Sequence, residues 1–308
     1  TFGNQKVPEG WIIVAAGNPP EFNRSVREFD MVTYDRLRVI NIDADLEVWR
    51  EYAREREIHN AILSYLDIRP QNFYRVEADV DGLKFITARG WEDMSSLMYV
   101  YEELGISINA GVVGEFLHNE DVAEDFGAYY DLYNKYRDDY GINNILTGNA
   151  APDIYRRMVE ADYDERLTVV NLLLDTLNKH FKYAASLKAD TDNWYKSIKD
   201  KIKAGEDAAA IDKEKAEFAA QAERLESVEK QTLAKLENAF DFLEGSKQEI
   251  SREDIGKLDQ EMLIFVTGLT TGKESSSFLL VNPCDRYKSY SAMYLKGGRR
   301  NQLLKEME

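Results

Sequence analysis

Asn18, Arg36 and Arg89 are the side chains in the first ninety residues whose types best suit contact with phosphate oxygens. Asn18 directly follows the apolar run Trp11–Ala16 and Gly17, and this run predicts a short buried strand. Nucleotide sites lie at the carboxyl ends of strands in open α/β sheets, where an asparagine amide would be well placed. Arginine adds a planar fork of donors that matches phosphate geometry.

Each of these residues also has a simpler structural explanation. Asn18 precedes two prolines and would suit a turn, and Arg36 could serve as an ion-pair partner. Arg89 could pair with Glu92 or Asp93 at helical spacing. The functional interpretation therefore depends on the order of the three residues and on the sequence around them.

The surrounding elements are predicted as two strands followed by helices. The second strand is predicted at Leu37–Ile42, and Asp45 is predicted to cap a helix that begins at Leu46. A further helix is expected over Ile58–Leu66. Thr87 is a suitable cap for the helix that follows it, which places Arg89 in the first turn.

Long helices dominate the sequence after residue 150. The Gly- and Asn-rich stretch 141–152 predicts a linker and a domain boundary. Apolar residues then recur at helical spacing over 167–184, 194–202 and 206–243, and the last of these would be roughly 57 Å long as one helix. These apolar stripes predict a bundle with a coiled-coil-like hairpin. A further helix is predicted over 255–265, with Ser251 as its cap. The apolar run at Ser277–Val281 predicts a strand.

The composition excludes several classes of function. The net charge is −17, and residues 44–150 hold 9 basic and 21 acidic side chains, so nucleic acid is not expected as a direct partner. No apolar stretch is long enough to span a membrane and no secretory signal is visible, which favours the cytoplasm. One cysteine and three scattered histidines predict neither an internal disulfide nor a metal site.

Two further motifs are not expected to carry chemistry. Thr267–Glu274 approximates a phosphate-binding Walker A loop, but threonine stands where the first glycine is needed and Glu274 would repel phosphate. Glu92 and Asp93 form a carboxylate pair, but adjacent helical residues point about 100° apart and do not converge on one substrate.

Three separated motifs, in order, resemble the second half of a MoxR-type AAA+ ATPase. The first is the Gly-Asn-Pro-Pro-Glu turn at 17–21, followed by Arg-Glu-Phe-Asp at 27–30 and the Thr-x-Asp-Arg segment at 33–36. The last is Thr-x-Arg-x-Trp-Glu at 87–92. The resemblance covers about residues 1–150, whereas residues 151–308 resemble no family.

The resemblance implies a role for each candidate residue. Asn18 matches sensor 1, which orients the attacking water or contacts the γ-phosphate, and Arg36 matches the arginine finger offered to a neighbouring subunit. Arg38 is the alternative finger because it lies beside the same predicted strand. Arg89 matches sensor 2, the lid arginine that contacts the nucleotide of its own subunit.

The resemblance also implies what is missing from these 308 residues. The Walker A lysine and the Walker B acidic pair, which hold ATP and Mg²⁺ in the family, have no counterpart in the sequence. We therefore expect a fragment that neither binds ATP tightly nor hydrolyses it. The expected fold is mainly α: a remnant of an α/β P-loop core at 1–43, a helical lid at 44–150 and a long-helix bundle at 151–308.

For the intact protein, the resemblance implies ATP hydrolysis in a homo-oligomeric ring, a hexamer in the family. It also implies chaperone-like remodelling or maturation of a partner, often one with a von Willebrand factor A domain. The alternative is a non-enzymatic interaction module in which the helical bundle does the work and the ATPase-like segment is a scaffold.

Overall fold

The computed structural model describes residues 8–17, 31–79, 82–205, 207–248 and 255–295. The chain divides into two units, Thr1–Ala44 and Asp45–Glu308. It is mainly helical, as the sequence predicts, and the described residues contain one two-stranded antiparallel sheet.

The first unit contains a short helix, α1, at Met31–Tyr34. The strands predicted at Trp11–Ala16 and Leu37–Ile42 are not present, because neither segment has a hydrogen-bonded partner strand among the described residues. A strand satisfies its backbone groups through a neighbouring strand, so an apolar run alone cannot produce one. Their apolar side chains are exposed, and Val14 and Ile42 are about 90 % accessible.

The second unit begins with the helices and hairpin that precede Arg89. Asp45 caps α2 by accepting the N–H groups of Glu47 and Val48, as predicted. The strands β1 and β2 pair in an antiparallel register that the sequence analysis did not predict. The elements in this region are α2 (Leu46–Glu55), α3 (Asn60–Ile68), a 3-10 turn (Pro70–Asn72), β1 (Arg75–Asp79) and β2 (Gly82–Ile86).

Three further helices complete this region around an aromatic core. Trp91 on α4 packs against Tyr65 and Phe126, with ring centroids 5.7 and 5.2 Å away, and all three side chains are buried. Aromatic rings bury large apolar areas, so this cluster is the centre of the region. The helices are α4 (Ala88–Leu104), α5 (Ala110–Gly114) and α6 (Glu120–Tyr140).

His59 caps α3 and connects it to α4 and α6 through hydrogen bonds. The Nδ1 atom of His59 accepts the N–H of Ala61 at 3.1 Å, so the ring proton is on Nε2, 3.1 Å from Glu102 Oε1. The same oxygen accepts the hydroxyl of Tyr130 at 2.8 Å. The hydrogen bond from His59 lowers the pKa of Glu102 to about 2.

The boundary predicted near residue 150 falls inside the second unit. The stretch 141–152 contains α7 (Ile142–Leu146), in which Ile142, Ile145 and Leu146 are buried and contribute to the core. Asn238 also donates to the Leu146 carbonyl at 2.9 Å. This stretch is therefore a packed connector and not an exposed linker, because its apolar side chains are covered by the helices on either side.

The remaining helices form the bundle and its hairpin. The predicted helices at 167–184 and 194–202 are one continuous helix, α9, and the strand predicted at Ser277–Val281 is helical. The ring centroids of Phe278 and Phe181 are 5.1 Å apart, so Phe278 is buried by helix packing and not by strand pairing. The helices are α8 (Pro152–Glu160), α9 (Tyr163–Ala204), α10 (Ala208–Gln248), α11 (Ile255–Thr271), α12 (Lys273–Val281) and α13 (Asp285–Tyr294). The Ser251 cap predicted for α11 lies outside the described residues.

Polar contacts join α9 to its neighbours on both sides. Ser64 on α3 accepts from Tyr129 on α6 at 2.7 Å and from Asn171 on α9 at 2.9 Å. On the opposite side, Arg166 Nε lies 2.7 Å from Glu261 Oε1 on α11, and both side chains are buried. None of the helices in the described residues has the length and apolar character needed to cross a membrane.

The buried Arg166–Glu261 pair should contribute far more to stability than an exposed pair on the same helix. We expect Arg166→Met to lower the free energy of unfolding by about 3 to 5 kcal/mol, because the buried carboxylate of Glu261 loses its ion pair with Arg166. The control is Arg69→Met, which breaks a half-exposed pair with Asp164 and should cost at most about 1 kcal/mol. Urea unfolding followed by circular dichroism measures both changes, and equal losses would contradict the assignment.

Candidate functional site

Arg89 lies at the start of α4, where the predicted cap holds the helix end in place. Thr87 Oγ1 accepts the N–H of Gly90 at 3.2 Å, and its backbone is extended. Arg89 is therefore the second residue of the helix and its side chain is exposed. Both the cap and the first-turn position of Arg89 are confirmed.

The beginning of α4 is held against the segment that follows α5. Phe85 on β2 donates its N–H to the carbonyl of His118 at 2.9 Å. A Cβ atom built on Gly90 would lie 2.8 Å from the carbonyl oxygen of Phe116. The helix backbone therefore approaches a carbonyl group at a distance that only glycine allows, which fixes the direction in which α4 leaves the hairpin.

Trp91 anchors the same turn from the inside. Its indole N–H donates to the carbonyl of Asn72 at 3.2 Å, and its side chain is fully buried. Arg89 thus stands two residues before a buried anchor and one before a close backbone contact. The base of the Arg89 side chain is rigid although its guanidinium group is exposed.

The ion pair that would give Arg89 an ordinary structural role does not form. Glu92 instead accepts the hydroxyl of Tyr52 at 2.9 Å, and Asp93 is exposed. Within the described part of the chain, the side chain of Arg89 has no hydrogen bond or ion pair. A cation in the first turn of a helix also opposes the helix dipole, so local stability does not explain this arginine.

The other candidate residues belong to the first unit. Arg36 and Arg38 follow α1, and both are exposed. Neither makes a side-chain hydrogen bond or an ion pair with the residues that the structure describes. Asn18 lies outside the described residues. The roles of these three residues therefore remain predictions from the sequence.

The Walker A-like segment forms the end of α11 and the start of α12. Gly268 lies within α11, and a Cβ atom there would be 2.6 Å from the Leu174 side chain. Gly272 precedes α12, and the hydroxyl of Ser275 donates to its carbonyl. These glycines permit helix packing and do not form a phosphate-binding loop.

No cluster of three or more histidine, cysteine, aspartate or glutamate side chains that could hold a metal ion occurs among the described residues. Cys284 is buried at the start of α13, where its thiol donates to Glu237 at 3.2 Å. Burial raises the pKa of this thiol to about 11. The thiol therefore stays protonated at neutral pH and is a poor nucleophile.

The structure contains a cleft between α9 and α10 that the sequence does not predict. Polar side chains line it at positions i, i+1 and i+4 of each helix: Lys179, His180, Tyr183, Gln231, Thr232 and Lys235. This helical spacing is visible in the sequence. Its significance depends on two helices about fifty residues apart being packed side by side.

No protein-family model, curated protein or solved structure matches the chain. The resemblance to MoxR-type ATPases therefore rests on the sequence motifs. The structure adds the local geometry around Arg89.

Adding one methyl group at Gly90 tests how rigidly the base of Arg89 is held. We expect Gly90→Ala to lower the free energy of unfolding by about 1 to 3 kcal/mol, because the Phe116 carbonyl must move. The matched control is Gly114→Ala at the end of α5, where the new Cβ would lie 3.8 Å from Ala123 Cβ and fit without strain. Chemical denaturation compares the two, and a Gly90 variant as stable as the control would contradict the close approach.

Proposed function

We propose that this chain supplies the nucleotide-responding part of a MoxR-type AAA+ ATPase. In this proposal Asn18 is sensor 1, Arg36 is the arginine finger and Arg89 is sensor 2. The Walker A and Walker B groups, absent from the 308 residues, come from the rest of the ATPase. The assembled protein hydrolyses ATP with Mg²⁺, and this chain alone is inactive.

The arrangement of Arg89 carries the proposal. A capped helix, a glycine contact and a buried tryptophan fix its backbone, while its exposed side chain has no partner in the described residues. An arginine with a structural role would pair with a nearby carboxylate. Glu92 instead accepts a hydrogen bond from the hydroxyl of Tyr52. A residue that senses phosphate needs a fixed backbone and a guanidinium group that is free to bind the ligand. The donors of a guanidinium match phosphate oxygens, and its charge is permanent.

The chemistry explains why arginines are needed from two places. Phosphoryl transfer requires little covalent chemistry from the protein but strong stabilisation of charge on the transferred group. Arg89 would supply that charge to the nucleotide of its own subunit, whereas Arg36, or Arg38 in its place, would supply it to a neighbouring subunit. Hydrolysis would then depend on assembly of a homo-oligomeric ring, a hexamer in the family.

The long helices suit a role in transmitting the ATPase cycle to a partner protein. With 42 and 41 residues, α9 and α10 each extend about 60 Å, far longer than the helices around Arg89. We assign them to contact with the client of a chaperone-like remodelling activity, for which a von Willebrand factor A domain is the partner class that the resemblance implies. The cytoplasm is the compartment in which this activity would operate.

Replacing Arg89 tests the sensor 2 assignment in the assembled ATPase. We expect Arg89→Ala to lower kcat at least about 100-fold, the cost of removing one donor to developing charge. Arg89→Lys should recover only part of the loss, because an ammonium lacks the fork of donors. Steady-state release of phosphate gives kcat and KM.

The matched control is Arg137→Ala, which removes a half-exposed arginine of the same unit whose ion pair is with the adjacent Asp138. It should leave both kinetic constants within about twofold of the parent protein. Unchanged kinetics in Arg89→Ala, or an assembled protein without ATPase activity, would contradict the proposal and favour a helical interaction module.

Mixed rings test whether Arg36 acts on the neighbouring subunit. We expect Arg36→Ala to lower kcat by about 10³ to 10⁵ while nucleotide affinity changes little, because a finger arginine contacts the transition state in trans. Subunits that carry Arg36→Ala should regain activity when mixed with subunits defective in the Walker B acid. Absence of rescue, together with full rescue by the same mixing for Arg38→Ala, would transfer the role to Arg38.

A further inference from the structure

A cleft of about 420 Å³ opens between α9 and α10 in the helical bundle. This volume lies in the range of roughly 300 to 1,000 Å³ that small-molecule sites occupy. The described residues that line it are basic, polar or apolar, and none is acidic: Lys179, His180, Tyr183, Val228, Gln231, Thr232 and Lys235. A lining without carboxylates stands out in a chain whose net charge is −17.

Two basic side chains of the cleft have no acidic partner among the described residues. Lys235 and His180 are half-buried, and their side chains make no hydrogen bond or ion pair with the residues that the structure describes. Lys179 is at the exposed rim and pairs with Asp175 at 3.0 Å. Glu229, on the same helix as Lys235, accepts from Asn282 at 3.4 Å.

The electrostatics of His180 agree with this geometry. Burial, and then the charge of Lys235, lower the pKa of His180 below its usual value. Two positive charges that lie close together in a partly desolvated cleft repel each other, and this repulsion disfavours protonation of His180. A bound anion would remove that penalty and would raise the pKa of His180.

The opening of the cleft adds another cation and an aromatic face. Tyr183 is 44 % exposed, and its hydroxyl accepts from Arg224 Nη2 at 2.7 Å. Thr232, in contrast, is almost fully buried. The cleft therefore has hydrogen-bonding side chains both at its surface and in its interior.

We propose that the cleft between α9 and α10 binds a phosphate group, either as inorganic phosphate or as the phosphate of a nucleoside monophosphate. Two ammonium groups, an imidazole, two hydroxyls and an amide supply more donors than the two oxygens of a carboxylate accept, and they suit a tetrahedral dianion. Lys235 and His180 hold the charge, and Tyr183 flanks the ester of a nucleotide. The residues that line this cleft include neither Arg36 nor Arg89.

Histidine resonances in proton NMR report on this site directly. The chain has three histidines, and His180→Gln identifies the signal of His180. We expect about 20 mM inorganic phosphate, compared with sodium chloride at equal ionic strength, to raise the pKa of His180 by at least about half a pH unit. The signals of His59 and His118 should stay unchanged. Adenosine monophosphate forms the second arm, and an equal or larger effect identifies nucleotides as ligands, whereas an effect of phosphate alone identifies the free ion.

Lysine substitutions show whether the effect belongs to the cleft. Lys235→Met keeps an apolar stem of similar length and should weaken phosphate binding about tenfold from a dissociation constant on the order of 1 mM. The matched control is Lys230→Met on the same helix, which removes an exposed lysine paired with Glu226 and should leave binding unchanged. Failure of both ligands to move the His180 pKa, or an undiminished effect in Lys235→Met, would overturn the proposal.

Discussion

Burial of the amino-terminal half of α9 is the constraint on which the second unit depends. Leu167, Leu173, Leu177 and Phe181 are buried, and α3, α6 and α7 pack on this helix together with α10, α11 and α12. A helix that is apolar on nearly all sides must be surrounded by other elements. The helices before α9 and those after it therefore pack on the same helix, which is why residues 45–308 form a single unit.

The same constraint explains how polar groups are distributed. Arg166 and Thr168 lie in the buried part of α9, and each has partners: Arg166 binds Glu261, and Thr168 donates to the Asp164 carbonyl at 2.7 Å. Buried polar groups without partners cost more than they contribute, so these contacts set which neighbour packs on which side. Arg89 and Lys235, which have no partner among the described residues, lie elsewhere, at the exposed start of α4 and in the open cleft between α9 and α10.

Sequence signals that act within a few residues, such as helix caps, mostly gave correct predictions. Signals that depend on a distant partner gave wrong predictions of secondary structure. Asp45 and Thr87 were identified as caps because a cap bonds to backbone groups within three residues. The run Ser277–Val281 was assigned to a strand because short apolar runs fit either structure, and packing on Phe181 decided for a helix. The hairpin of β1 and β2 is an exception, because the local signal Asp81-Gly82 is present in the sequence but the prediction does not include a hairpin.

The same distinction applies to the candidate sites. The position of Arg89 followed from its spacing to Thr87. Its lack of a carboxylate partner could not be foreseen, because Tyr52 reaches Glu92 across forty positions of the sequence. The basic cleft also joins residues from two helices, so neither helix alone reveals that Lys235 faces His180 without a counter-charge.

The hydrogen bonds that Ser64 accepts from Tyr129 and Asn171 have a mechanical consequence. They fasten α3 and α6 to α9 near the beginning of a helix that continues to residue 204, where Lys201 binds Glu214 on α10 at 2.9 Å. A helix fixed at one end acts as a lever, so a rotation of about 10° at its base would move a point 20 residues, or about 30 Å, further along by about 5 Å. A small reorientation of α3 and α6, against which Trp91 of the Arg89 helix packs, would therefore become a displacement as large as a side chain at the far end of the hairpin.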